Sequence, residues 1–109
     1  MALSYKVLGQ SNPAATTQTT LYTVPAGTSA VVSTLVICNQ AGTASTFRVA
    51  VQPAGAGLAT QHYINYGTAI PANDTILLTI GMTLAATDIV SVYAGNSTMS
   101  FSLFGNEIS

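Results

Sequence analysis

Apolar and polar positions alternate with a period of two along most of the chain, the spacing that sends successive side chains to opposite faces of a strand. In residues 21–51 the pattern gives a strand through Leu21, Tyr22 and Val24, a turn at Pro25-Ala26-Gly27, a long strand over residues 29–39, a turn over residues 39–43, and a third strand over residues 44–52. Pro presets φ in the first turn and Gly accepts a positive φ beside it, so the chain is expected to fold back on itself in antiparallel hairpins. Phe47, Val49 and Val51 then point one way, opposite Leu35 and Ile37, and Arg48 points to water. The long strand is apolar on both sides, with Val31, Leu35 and Ile37 on one face and Val32, Val36 and Cys38 on the other. Such a strand rests one face on the core and needs the other covered by a loop or a neighbouring subunit.

The same alternation runs through the rest of the chain. Residues 2–9 form a first strand around Leu3, Tyr5 and Val7, with Lys6 on its wet side. Residues 53–60, rich in Pro, Ala and Gly, form a surface loop. A strand over residues 61–66 carries His62, Tyr63, Ile64 and Tyr66, with His62 exposed; Asn73-Asp74 marks a turn before an apolar strand over residues 75–80. A strand over residues 89–94 is joined by Gly95-Asn96-Ser97, the tip of a closing hairpin, to a last strand with Met99, Phe101 and Leu103 on one face. About eight strands with turns every eight to twelve residues or so, and no helical periodicity, predict one all-β domain over residues 1–109, an antiparallel β-sandwich of jelly-roll-like form.

Charge changes the picture most. Only Lys6, Arg48, Asp74, Asp88 and Glu107 are ionic, 5% of the chain, against about 25% in an ordinary soluble domain. With a net charge of -1 there is no cluster of Lys or Arg, so neither nucleic acid nor an anionic membrane surface is an expected partner. Hydrophobic residues reach 49%, yet Ser, Thr, Gly or Asn interrupts every apolar run well short of the ~18 residues of a spanning helix. Residues 1–10 lack a basic start followed by an apolar stretch, so no signal peptide is expected. Cys38 is alone, which excludes an intrachain disulfide and leaves it as a small hydrophobe. A surface of Thr, Ser, Asn, Gln and Ala with little net charge lacks the long-range repulsion that keeps copies apart, which favours self-association or docking on a larger assembly.

The inventory for chemistry is short. His62 with Asp74 or Asp88 is not accompanied by a nucleophile motif, so no enzyme is expected. No His or Cys pair has ligand spacing, the Asp residues lack the alternation of a calcium loop, and Gly55 and Gly57 do not form a phosphate cradle, so no metal or cofactor is expected either. Two glycosylation sequons, at Asn73 and Asn96, are better explained as turns. Tyr63, Tyr66 and Tyr93 near the loops are suited to stacking on sugar rings or anchoring a protein, although tyrosine in a strand is ordinarily packing. The candidate interface residues are Val32, Val36, Cys38, Leu58, Tyr63 and Tyr66.

The segments Tyr5-Lys6-Val7-Leu8-Gly9-Gln10, Leu21-Tyr22-Thr23-Val24-Pro25-Ala26-Gly27, Leu35-Val36-Ile37-Cys38-Asn39 and Phe47-Arg48-Val49-Ala50-Val51, with Leu84 to Val90 and Phe101 to Gly105 after them, resemble the small all-β virion proteins of tailed bacteriophages, particularly those of cyanobacterial and marine hosts. The resemblance covers most of the chain and rests on strand-and-turn patterns. It implies a capsid decoration or cement protein, trimeric or arrayed, whose partners are further copies of itself and the major capsid protein, located in the virion after assembly in the host cytoplasm. The alternative it leaves open is a tail or fibre component, an adaptor or a knob that contacts host surface glycans through the loops at residues 53–60 and 95–97.

Overall fold

A computed structural model describes residues 3–79 and 81–109. These form nine strands: β1 (Leu3–Ser11), β2 (Thr19–Thr23), β3 (Ser29–Asn39), β4 (Ser45–Gln52), β5 (Tyr63–Ile70), β6 (Thr75–Leu78), β7 (Met82–Leu84), β8 (Ile89–Ala94) and β9 (Met99–Ile108). The expected extensions of β1 to Ala2 and of β6 to Ile80 lie outside the described residues. One sheet runs β1-β9-β3-β6, with β7 also paired to β3; the other runs β2-β8-β4-β5. All pairings are antiparallel. Every connection crosses from one sheet to the other except β4 to β5 and β6 to β7, which is the path of a jelly roll. The all-β sandwich expected from the alternation is the fold of the chain.

Three hairpins expected in the sequence are replaced by crossings. β2, β3 and β4 do not pair in succession, because β3 lies in the five-stranded sheet and its neighbours in the four-stranded one. Likewise Gly95-Asn96-Ser97 joins strands of different sheets, since β8 pairs with β2 and β4 whereas β9 pairs with β1 and β3. Loops of five or so residues, unlike two-residue hairpin turns, are long enough to cover the ~10 Å between packed sheets. Leu35 and Ile37 do face Phe47 and Val49, across the core and not along a ladder.

The core is filled from both sheets: Val32, Leu35, Ile37, Phe101 and Leu103 from one, Phe47, Val49, Val90 and Val92 from the other, all fully buried. Phe47 and Phe101 meet edge to face across the middle, their centroids 6.3 Å apart, a geometry favoured by the ring quadrupoles.

The face assignments of β3 need correction. Ala30 and Val32 are buried, then Leu35, Ile37 and Asn39, so the inward phase changes from even to odd. The cause is a bulge: Val32 pairs with Gly105 and Thr34 with Phe104, leaving Ser33 as an extra residue. One inserted residue flips every side chain beyond it. Val32 therefore belongs to the core and is removed from the candidate interface, whereas Val31, Val36 and Cys38 share the outer face.

Candidate functional site

Two outer faces, one on each sheet, carry the exposed side chains that suit contact with a partner. On the five-stranded sheet, β1 reverses the expected orientation. Leu3, Tyr5 and Val7 stand outward, with Tyr5 77% exposed, while Lys6 lies on the side that faces the other sheet yet remains exposed, as a wet position was expected to be. That end of the sandwich is polar: the Lys6 ammonium lies 2.6 Å from Glu107 Oε1, and the Tyr22 hydroxyl, reaching over from β2, donates to Glu107 Oε2. Hydrogen bonds from Lys6 and then from Tyr22 hold the Glu107 carboxyl below its ordinary value, against a smaller opposing effect of burial. Burial first, then the hydrogen bond to Glu107 and its charge, push the Tyr22 phenol above its ordinary range. With the one lysine of β1 held in this pair, the outward stripe of Leu3, Tyr5 and Val7 carries no charge.

Across the same face, Phe104 on β9 and Val31 on β3 adjoin Tyr5 and Val7 around a shallow groove of about 500 Å³. Asn106 lines it as well, and its Oδ1 is shut from solvent without a hydrogen-bond donor. Leu77 on β6, 65% exposed, pairs with the half-buried Val36, and Cys38 follows two residues on. Across β9 and β1 the row of Leu77 and Val36 continues into Ser102 and Gln10, so this face carries two apolar parts with polar side chains between them.

On the four-stranded sheet the centre is Arg48. It pairs with Tyr66 of β5 on one side and Tyr93 of β8 on the other, and its guanidinium carbon lies 4.2 Å from each ring centroid. Tyr63 meets Tyr66 edge to face at 4.9 Å. Tyr63 and Tyr66 are an odd number of residues apart and would point to opposite faces of a regular strand. Bulges in the pairing with β4 leave Ile64 and Gly67 as extra residues, Gly67 at φ 68°, and the first of these brings both rings to one side. Arg48 is therefore half-buried and stacked, where the alternation pointed it to water. Beside it the Gln18 amide donates to Ser91 Oγ and Ser91 Oγ donates to Gln52 Oε1, covering Ser91 on this outer face.

The candidate interface residues consequently divide. Val36 and Cys38 lie on the five-stranded sheet, Tyr63 and Tyr66 on the four-stranded one, Leu58 is exposed in the loop after β4, and Val32 is in the core. His62 sits in a 3-10 turn at Thr60–His62, half-buried, and its Nδ1 accepts the Ala59 N–H at 3.0 Å, so its role is to close a loop and not to line a strand. The alternation missed Leu3, Tyr5, Leu77 and Arg48 as contact residues. A strand whose apolar positions face outward looks the same in sequence as one whose apolar positions face inward. Among the described residues, no group of three or more His, Cys, Asp or Glu side chains is placed to hold a metal.

No family model matches the chain, and no curated protein or solved structure matches it.

Proposed function

We propose that the domain is a structural protein of a bacteriophage particle, a capsid decoration protein that lays the outer face of its five-stranded sheet on shell subunits or on further copies of itself. The observation that carries this reading is the cluster of exposed Leu3, Tyr5, Val7 and Val31 at one end of this face, with exposed Leu77 farther along it and no unpaired charge among them. A patch of this kind marks a surface made to be covered. Standard interfaces take ~800 Å² from each partner and hold by an apolar centre with a polar rim. Here the apolar stripe supplies the centre, and Gln10, Ser100 and Ser102 at the far end of the same sheet supply hydroxyls and amides.

A second reading, a tail or fibre component, is favoured by the tyrosine and arginine cluster on the opposite sheet, which suits an outward contact better than a core. Copy number separates the two: on the order of hundreds of copies in a purified particle mark the shell, where many weak contacts act together, and a dozen or so mark the tail. Incubating the purified domain with expanded shells lacking decoration is the direct test. Saturable binding supports the decoration role, and a domain that stays monomeric at high concentration and associates with neither shells nor tails overturns both readings.

A further inference from the structure

We infer that the outer face of the four-stranded sheet binds a carboxylate-bearing sugar, with Arg48 as the anchor for the acid and the surrounding tyrosines as the contact for the ring. The guanidinium carbon lies 4.2 Å from the ring centroids of both Tyr66 and Tyr93, which stand on the strands to either side of β4. The group carries a planar fork of N–H donors. None of these donors has a hydrogen-bond acceptor or a carboxylate partner among the described residues, where the one ion pair is Lys6 with Glu107. A guanidinium edge held in a fixed plane is matched by the two oxygens of a carboxylate.

A second copy of the chain is a poor source of that carboxylate. Glu107 accepts from Lys6 and Tyr22, Asp88 accepts from the backbone N–H groups of Ala54 and Ala85 through its two oxygens, and Asp74 accepts from the N–H of Thr75. Glu107 and Asp88 thus have both oxygens engaged, and of the three only the exposed Asp74 keeps a free oxygen among the described residues. An Arg48 signal that is independent of protein concentration, and unchanged in Asp74→Asn, leaves the acid foreign; a concentration-dependent one assigns it to a second copy.

An acidic sugar fits better than an acidic peptide for two reasons. The cation is single, while the hydroxyls of Tyr63, Tyr66 and Tyr93 make no hydrogen bond within the described residues, and Tyr66 is 64% exposed. One acid group on a ring that also carries several hydroxyls and an apolar C–H face complements this composition. An extended peptide would instead add along β5, the edge of the sheet, where the extra residues Ile64 and Gly67 break the row of backbone groups such a strand needs. The site stands on its own geometry. Its use in many copies, where weak single sites combine, rests on the virion reading.

The test is a two-dimensional NMR titration of the purified domain with trigalacturonate, with the fully methyl-esterified trisaccharide as the uncharged control and the peptide Gly-Glu-Gly as the protein-like acid. The acidic trisaccharide should shift the Arg48 Nε–H and the ring signals of Tyr66 and Tyr93, the ester should bind at least tenfold or so more weakly, and Arg48→Lys, which keeps the charge and loses the fork, should weaken binding by roughly tenfold in a spectrum otherwise unchanged. Absence of shifts on this face, or equal binding of acid and ester, overturns the inference. Equal or tighter binding of the peptide overturns the assignment to carbohydrate and gives the face to a protein partner. Sugar binding by a domain that ignores shells and tails would leave this inference intact and remove the virion reading, and the converse result would do the opposite.

Discussion

At the scale of single residues, polar side chains tie distant parts of the fold together. Asn39 is fully buried, and its Nδ2 donates to the carbonyls of Thr43 and Pro71 at 3.0 and 3.1 Å while its Oδ1 accepts the Ala41 N–H. It thereby fastens the turn after β3 to the end of β5. Asn39→Ala leaves those carbonyls without a donor, and a loss of about 2–3 kcal/mol in urea denaturation is expected. The Lys6, Glu107 and Tyr22 group makes stability depend on pH at both ends. Glu107 is held below its ordinary 4.5, so the folded state favours the carboxylate: its contribution is whole above that pH and is lost as pH falls through the lower folded value. Tyr22 is pushed above its ordinary 10.0, so the folded state favours the neutral phenol, and stability falls as pH rises past that value. Urea midpoints measured across pH should show a plateau with two declining limbs, Glu107→Gln flattening the acid one and Tyr22→Phe the alkaline one.

At the scale of strands, the bulges decide which side chains are seen from outside. Ser33 on β3 resets the inward phase of the longest apolar strand, and Leu8 on β1 is likewise an extra residue, between Val7 paired with Phe104 and Gly9 paired with Leu103. Both bulges flank the same stretch of β9, where Gly105 passes so near β3 that a Cβ would overlap the Val31 carbonyl oxygen and crowd Val32. Gly105→Ala should therefore cost more than about 2 kcal/mol or prevent folding, since the obstacle is backbone and cannot rotate away; a urea midpoint close to that of the unmodified domain would show that β9 can shift. These same features mark the boundary of what the sequence discloses. The strands around Leu21, Leu35, Phe47, Val90 and Phe101 were legible because alternation reports local geometry. Register is not local. The bulge at Ser33, which sent Val32 into the core, and those in β5, which put Tyr63 beside Tyr66, arise from pairing with distant strands, as does the meeting of Lys6 with Glu107. The crossings after β2, β3 and β8 depended in the same way on which sheet each strand joined.

At the scale of the molecule, a sandwich has two outer faces directed away from each other, and in this chain they differ in chemistry. One is an apolar stripe whose nearby cation, Lys6, is neutralised by Glu107; the other centres on a stacked cation that no carboxylate neutralises among the described residues. A module that adheres through the first face leaves the second pointing away from its support. Leu77 tests the adhesive side cleanly, because it is 65% exposed and lies on the edge strand β6, so Leu77→Asp should shift folding stability by no more than about 0.5 kcal/mol. In an apolar interface the same change places a charge where water has been excluded, and binding to shells should fall by two orders of magnitude or so. Sodium chloride at molar concentration should release little of the unmodified protein, since apolar contacts are scarcely screened. Retention of Leu77→Asp on the particle, or ready release of the unmodified domain by salt, would move the contact to the charged face of the opposite sheet, where Arg48→Gln becomes the variant expected to detach.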